Sequence, residues 1–204
     1  MGRLIRNATV LAVTLVLAAC SGSYRTYYEA PISASVSRGW NVTGVSVTVP
    51  EELTVSEAKV LVPSADIVWR EDPPGDRKPQ IAAVMRDAVE RGARGLRGPR
   101  PVRLQIQVQR FHALTFEAET RLRDAGVHNI SFYLTVVDAR SGQALAGPTL
   151  IDADVPAFSG PSAIERRRNG ESQRSVITNH VAATIAGFFG TGPDNRNTFA
   201  RAGD

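Results

Sequence analysis

The chain has 204 residues, of which 43% are hydrophobic and 22% are charged, and its formal net charge is +4. This length and composition fit one globular domain with tails, and the chain is too apolar to be intrinsically disordered. Its single cysteine excludes a disulfide framework and a cysteine-rich zinc site, and the lack of an apolar run of about 18 residues excludes a membrane-spanning helix.

The first twenty residues have the features of an export signal. Arg3 and Arg6 precede a stretch from Ala8 to Ala19 that is apolar except for two threonines. This stretch is about half as long as a bilayer span requires. It ends in the sequence Leu17-Ala18-Ala19-Cys20, which resembles the lipobox of bacterial lipoprotein precursors.

The resemblance implies cleavage between Ala19 and Cys20 and acylation of Cys20 with fatty acids such as palmitate. The thiol would carry a diacylglyceryl group and the new amine a further acyl chain, because a single chain binds membranes only marginally. An ordinary secretory signal with an incidental cysteine is the alternative. Ser21 follows in place of aspartate, which favours the outer membrane of a Gram-negative cell, with the domain facing the periplasm.

The chain is therefore divided into four parts. Residues 1–19 are interpreted as a signal peptide, 20–38 as the lipidated cysteine and a flexible tether, 39–190 as the folded domain, and 191–204 as a disordered tail. Without Arg3 and Arg6, 22 basic residues stand against 20 acidic ones, so the net charge falls from +4 to +2. An exported chain with so small an excess is not expected to bind nucleic acid.

The first half of the domain begins with a strand and contains a helix. Val45, Val47 and Val49 alternate with polar residues, which predicts a half-buried strand that ends at Pro50. Short apolar runs follow at 58–62 and 67–69, and residues 71–77 have the composition of a loop. A helix is predicted from Pro79, and it weakens from Gly92 onwards. Its apolar positions recur every three or four residues: Ile81, Val84, Met85, Ala88, Val89 and Leu96.

The next strand shows the clearest alternation in the chain. Residues 102–108 place apolar side chains on one face and arginine or glutamine on the other, which predicts a sheet with one wet face. Continued without a break, the same phase would put Arg110 and His112 on the apolar face. Either these two residues lie beyond the edge of the core, or a β-bulge shifts the register.

The second half of the domain returns to strands and ends in a helix. Strands are predicted at 130–136 and 144–155 around a hairpin turn at 138–143, and Gly147 and Pro148 indicate that the second of them lies at an edge. A loop at 156–172 precedes an amphipathic helix at 176–188. This order predicts an α+β fold, in which two amphipathic helices pack on one face of an antiparallel sheet of four or five strands.

Two segments resemble a family of alphaproteobacterial lipoproteins with a domain of unknown function. One segment is 63–70, PSADIVWR, followed by Gly75-Asp76-Arg77, and the other is 108–115, VQRFHALT. The resemblance covers residues 40–190 and implies no catalytic residues. The order of elements is also similar, at the level of fold alone, to auxiliary lipoproteins of ABC-type intermembrane transport systems and to lipoproteins that activate peptidoglycan synthases.

No motif for catalysis, a metal or a cofactor is present in the sequence. The three histidines lie outside any zinc motif, and neither a nucleophile elbow nor a P-loop occurs. His180 is expected to pack in the core and His128 to be solvated. Asp152 and Asp154 could bind a cation or act in acid–base chemistry, and a solvated edge is the alternative. The protein is therefore expected not to be an enzyme.

A binding patch is predicted from Asp66, Trp69, Arg70, Arg110 and His112. A tryptophan beside an arginine at a strand end can form a recognition surface, and a core position for Trp69 is the alternative. A buried Arg110 would need Asp66, Glu117 or a ligand as its partner. The run 166–168, three arginines, is expected to be a solvated loop, or else to meet anionic headgroups.

Three functions are compatible with these observations. The first is a non-enzymatic, lipid-anchored accessory or adaptor subunit of an envelope assembly, which docks through a sheet edge or the loop near Trp69 and Arg70. The second is a carrier linked to intermembrane transport, which binds a lipid or another amphiphile between the sheet and the helices, with Arg110 at its anionic head. The third is an envelope hydrolase, for which the sequence offers no catalytic pair.

Overall fold

A computed structural model describes residues 22–201. The predicted signal peptide, the predicted cleavage site between Ala19 and Cys20, and the predicted lipid attachment at Cys20 lie outside these residues. Within them no helix is both long and apolar enough to cross a bilayer.

The described chain contains eight strands and five α-helices, more than the four or five strands and two helices that were predicted. The strands are β1 (Gly22–Tyr27), β2 (Trp40–Thr48), β3 (Ile67–Val68), β4 (Arg100–His112), β5 (Val127–Asp138), β6 (Ala144–Ala153), β7 (Val155–Pro156) and β8 (Asn197–Arg201). The helices are α1 (Ala34–Ser37), α2 (Arg77–Gly92), α3 (Phe116–Arg121), α4 (Pro161–Arg168) and α5 (Gln173–Phe188).

The sheet has the order β2-β4-β5-β6-β1-β8, with β3 added to the end of β4 and β7 to the end of β5. It is mixed, whereas an antiparallel sheet was predicted. Both β2 and β3 pair with β4 in parallel, and the other pairs are antiparallel. The reason is α2, which carries the chain back across one face between β2 and β4, so the two strands must run in the same direction.

The two long helices cover one face of the sheet, as predicted. Asp76 caps α2 by accepting a hydrogen bond from the amide of Lys78 (3.0 Å), and Ser172 and Ser175 form a capping box at the start of α5. The helices pack closely where a Cβ on Gly92 would lie 2.5 Å from the carbonyl oxygen of Ala182. Their apolar sides join the inward side chains of the strands in one core.

A β-bulge lies in β4, one of the two alternatives that the sequence left open. The pairing of β4 with β5 shifts between Val108 and Arg110, after which Phe111 faces the core. Arg110 is consequently exposed. The prediction that a buried Arg110 pairs with Asp66 or Glu117 is therefore wrong, and neither carboxylate forms an ion pair with it within residues 22–201.

The hairpin predicted at 138–143 joins β5 to β6, but β6 lies between β5 and β1 rather than at the edge. Only its last residues pair with β1, through Thr26 opposite Ala153 and Tyr27 opposite Asp152. The earlier part of β6, residues 144–150, has a partner on one side only within the described chain. The edge predicted from Gly147 and Pro148 is therefore present along part of the strand.

Both terminal segments contribute strands, although 20–38 was predicted to be a tether and 191–204 a disordered tail. Residues 22–27 form β1 and residues 197–201 form β8, which pair with each other over five residues. The side chains of Tyr24, Thr26 and Tyr28 alternate into the interior, and Tyr24 stacks on Phe199 at 5.8 Å. Alternation with a period of two indicates a strand. The small polar residues around these three side chains made the segment look like a tether in the sequence.

The connections gather at one end of the sheet. The C-terminal ends of β2, β3 and β4 lie there with the start of β5 and of α5, as the pairing of β4 and β5 requires. We call this the loop end and define it by residues 49–66, 69–76, 113–126 and 154–172. The face of the sheet that α2 and α5 do not cover is called the outer face.

Candidate functional site

All five residues of the predicted patch lie at or beside the loop end, and one of them, Trp69, is buried. Trp69 has no exposed surface and meets Phe111 edge to face, with the ring centroids 5.5 Å apart. Its indole Nε1 donates to Oδ2 of Asp72 at 2.7 Å, and the guanidinium of Arg174 lies 5.4 Å from its ring. Trp69 is thus a core residue that positions the loop after β3.

Arg70 extends from this loop toward the side chain of Glu57. The same carboxylate accepts from Nε of Arg77 at 2.8 Å, so one glutamate joins two arginines. These hydrogen bonds, above all the one from Arg77, hold the pKa of Glu57 below its usual value. Arg70 is half-buried and remains accessible beside the exposed ring of Phe116.

Arg77 is the buried arginine of the site, although the sequence singled out Arg110. It is 5% exposed, and its Nη1 donates to the carbonyl oxygens of Asp72 and Pro73, each at 3.1 Å, and to Oε1 of Gln80 at 2.9 Å. A guanidinium presents five donors in a fixed plane, so one side chain can fix a whole proline-rich turn. The Gly75-Asp76-Arg77 sequence was the available signal.

Asp66, Arg110 and His112 lie on the side of the site formed by β3 and β4. The carboxylate of Asp66 accepts from the amide (2.9 Å) and the hydroxyl (2.7 Å) of Thr54, which lowers the pKa of Asp66. His112 is half-buried and its Nε2 donates to the carbonyl oxygen of Pro63 at 3.2 Å. Burial lowers the pKa of His112, so the ring is neutral at pH 7. The side chain of Arg110, by contrast, forms no ion pair within residues 22–201.

A second group of charges links four segments of the loop end. The carboxylate of Glu119, 9% exposed, accepts from Nη2 of Arg167 at 2.8 Å and from Nε2 of Gln173 at 3.0 Å, and Arg167 also pairs with Glu71. The two glutamates raise the pKa of Arg167. The run 166–168 is therefore not a solvated loop, because it forms the last turn of α4 and its middle arginine pairs with Glu119 on α3 and with Glu71 in the loop after β3.

Asp152 and Asp154 do not form a pair that could act on a substrate. Asp152 makes an ion pair with Arg25 at 2.7 Å. Asp154 is buried and its carboxylate accepts from the amides of Arg25 (3.0 Å) and Ile130 (3.1 Å) and from Nδ2 of Asn129 (2.7 Å). Burial is nevertheless the largest influence and raises the pKa of Asp154. This carboxylate joins β1 to β5.

Of the two remaining histidines, His128 is buried and His180 is half-buried. The hydroxyl of Thr26 donates to the carbonyl oxygen of Asp154 at 3.1 Å, so it accepts from Nε2 of His180 at 2.9 Å. Burial lowers the pKa of His180 to about 4 and that of His128 to about 3. His128 was expected to be solvated, but it is 1% exposed and its Nδ1 lacks a partner among the described residues.

The outer face offers a different kind of surface. It carries a groove between β2, β4, β5 and β6, beside the part of β6 that lacks a second partner. Tyr133 and Leu150, 36% and 39% exposed, supply apolar surface to an otherwise polar face. The groove is lined by the apolar residues Ile106 and Pro148 and mainly by hydroxyl and amide side chains: Ser46, Thr48, Gln105, Gln107, Tyr133 and Thr135.

Metal binding finds no support in the described chain, because residues 22–201 contain no group of three or more histidine, aspartate or glutamate side chains that could hold an ion.

The solved structures to which the chain is similar include the following two. The PelC dodecamer from Paraburkholderia phytofirmans is 11% identical, with a TM-score of 0.37 over 81% of this chain and 96% of that one. A protein described as a "putative lipoprotein" from Caulobacter crescentus CB15 is 12% identical, with a TM-score of 0.36 over 77% of this chain and 92% of that one.

No curated protein matches the sequence. A family profile matches residues 40–204, which include the two segments on which the resemblance was based, residues 63–77 and 108–115. The chain belongs to the family of unknown function DUF6778.

Proposed function

We propose that the protein is a lipid-anchored envelope lipoprotein that acts as a non-enzymatic adaptor, holding a partner protein at the outer membrane. The anchor is supported by the sequence Leu17-Ala18-Ala19-Cys20. Confinement to a membrane raises the effective concentration of the domain for a partner in the same layer, so a modest docking surface is sufficient.

The observation that supports the adaptor role is the open side of the sheet. Residues 144–150 of β6 have no strand partner on one side within the described chain, so they present backbone carbonyls and, except at Pro148, amides there, and the outer face beside them carries Tyr133 and Leu150. An unpaired strand edge is a template for an added strand, whose alternate side chains would lie on the outer face. The partner is therefore an envelope protein that supplies an extended segment.

Site-specific crosslinking in cells tests this role. A photoreactive amino acid replaces Tyr133 or Leu150 on the outer face, and Glu90 on the exposed side of α2 serves as the matched control. We expect a crosslink to one envelope protein from the first two positions and none from Glu90. Recovery of the uncrosslinked chain alone, or of a crosslinked homodimer, would contradict the adaptor role.

The anchor has its own test. Labelled palmitate should enter the wild-type protein and not the Cys20→Ala variant. Label in the variant would show that the assignment of Cys20 is wrong.

The carrier hypothesis requires a different arrangement from the one observed. It placed Arg110 between the sheet and the helices, but Arg110 is exposed on the bulge. The space between the sheet and α2 and α5 is filled by a continuous apolar core. A lipid ligand would therefore need a site other than this one.

A further inference from the structure

Exposed apolar side chains are concentrated at the loop end. Ten large hydrophobic side chains are exposed in the described chain, and six of them lie there, so their distribution is far from even. Phe116 on α3 is 67% exposed and Ile164 on α4 is 55% exposed. Single exposed hydrophobic residues are common, but a group of them marks a contact surface. The six are Val55, Val60, Leu61, Val62, Phe116 and Ile164.

These side chains belong to one connected surface. The amide of Gly160, at the start of α4, donates to the carbonyl oxygen of Glu119 on α3 at 2.6 Å, and Arg167 bridges the same two helices. The hydroxyl of Thr115, which caps α3, donates to the carbonyl oxygen of Val60 at 2.8 Å. Residues 59–62, α3 and α4 are thus held together by hydrogen bonds.

The N-terminus of the described chain emerges beside this surface. Gly22, the first residue of β1, pairs with Arg201, whose guanidinium donates to the carbonyl oxygen of Asp124 at 2.8 Å. The side chain of Asp124 in turn accepts from Ser162 on α4. Two peptide steps separate Gly22 from Cys20, so the Cα atoms of these two residues lie within about 7 Å of each other.

From this placement we propose that the loop end is a membrane-contact surface, which seats Phe116, Ile164 and residues 60–62 in the interface of a phospholipid bilayer. The proposal rests on the proposed lipid anchor at Cys20. An anchored chain with so short a connection must keep its loop end close to the headgroups. Side chains of this kind enter the boundary between headgroups and acyl chains by roughly 5–10 Å.

The contact is apolar rather than electrostatic. Arg121, Arg123 and Arg168 are exposed on α3, its following loop and α4, and none forms an ion pair within residues 22–201. Glu117 and Glu165 lie on the same two helices and nearly balance them. The arginines can donate to lipid phosphates, but the whole loop end has 7 basic against 13 acidic residues, a net charge of −6, so its contact does not depend on anionic lipid.

Fluorescent labels at single cysteines test the contact. The sequence has no cysteine besides Cys20, which is acylated in the anchored protein, so an introduced thiol can be labelled alone. Phe116→Cys and Ile164→Cys report on the surface. Val36→Cys on α1, 51% exposed, and Tyr133→Cys on the outer face are matched controls. The full-length protein is purified from membranes and reconstituted into phosphatidylethanolamine nanodiscs with or without phosphatidylglycerol.

Lipids that carry a nitroxide on the acyl chain should quench an environment-sensitive label at positions 116 and 164 several-fold more than at positions 36 and 133. Phosphatidylglycerol should change this ratio by less than about twofold, because the contact is apolar. Equal quenching at all four positions, in protein whose mass shows acylation of Cys20, would overturn the membrane contact and leave the anchor intact. A mass without acylation of Cys20 would overturn the anchor, and quenching at 116 and 164 in the Cys20→Ala background, where the introduced thiol is again the only one, would still support the contact.

Discussion

The network around Glu119 gives the sharpest prediction for stability. Replacement of Arg167 by alanine leaves a carboxylate that is only 9% exposed with Gln173 as its remaining hydrogen-bond donor. Removing one partner of a fully buried ion pair costs about 3–5 kcal/mol. The side chain of Arg167 is 42% exposed, so the pair is partly screened and the expected loss is about 2 kcal/mol.

The matched control is Arg168→Ala in the same turn of α4. Arg168 is exposed and has no ion pair within residues 22–201, so its replacement should change the free energy of unfolding by less than about 0.5 kcal/mol. For a domain of this size, the loss in Arg167→Ala corresponds to a decrease in Tm of about 4–8 °C. Urea unfolding at pH 7 measures both variants.

A double-mutant cycle separates the pair from its surroundings. Glu119→Gln and Arg167→Ala, alone and combined, should give a coupling energy of about 1–2 kcal/mol, because the two side chains contact each other directly. A coupling energy near zero, or a loss in Arg167→Ala no larger than in Arg168→Ala, would refute the role assigned to the network.

Three further predictions concern other elements. In urea unfolding, Gly147→Ala should lower the free energy of unfolding by at least about 2 kcal/mol, because φ is +85° and a Cβ would lie 2.3 Å from the carbonyl oxygen of Leu134. Gly142→Ala is the control: φ is +73° but the space around it is open, so the loss should be about 1 kcal/mol. His128 has a pKa of about 3 in the folded protein against about 6.5 when unfolded, so its stabilising effect is present above pH 6.5 and is lost as pH falls. Between pH 7 and pH 5 the free energy of unfolding should therefore decrease by about 2 kcal/mol more in the wild type than in His128→Gln. Measured by thermal unfolding, Arg77→Ala should lower the free energy of unfolding by about 3 kcal/mol or more, because Arg77 is buried, and Arg110→Ala should lower it by less than about 0.5 kcal/mol, because Arg110 is exposed. Equal losses in the two variants would contradict this difference in burial.

Those parts of the fold that depend on local periodicity could be predicted from the sequence. The alternation in residues 102–108 and the spacing from Ile81 to Val89 gave the clearest strand and the longer part of α2. The turn between β5 and β6 was equally clear, since Asp138 accepts from the amides of Arg140 and Ser141. Each of these signals is complete within about ten residues, so no distant contact decides it.

Pairing between distant segments could not be predicted in the same way. The parallel direction of β2 follows from the path of α2, and β1 is ordered by β8 from the other end of the sequence. Residues 22–28 contain the inward alternation of Tyr24, Thr26 and Tyr28, but serine, glycine and threonine around them also suit a tether. This composition fits either a strand or a tether. The partner strand β8 decides between the two, and it lies at the other end of the sequence.

The predicted site shows the same limit at the level of single side chains. Arg77 and Arg110 are alike in the sequence, but Arg77 is buried under five acceptor contacts while one inserted residue in β4 turns Arg110 outward. Since a bulge reverses the face of every later residue in a strand, alternation identifies a buried side chain only up to that point. The loop at 71–77 was nevertheless predicted from its proline, glycine and acidic residues, and it is present apart from Arg77, which begins α2. The exposed apolar residues of the loop end pack neither in the core nor in the ion-pair networks, so they are available for a contact outside the molecule.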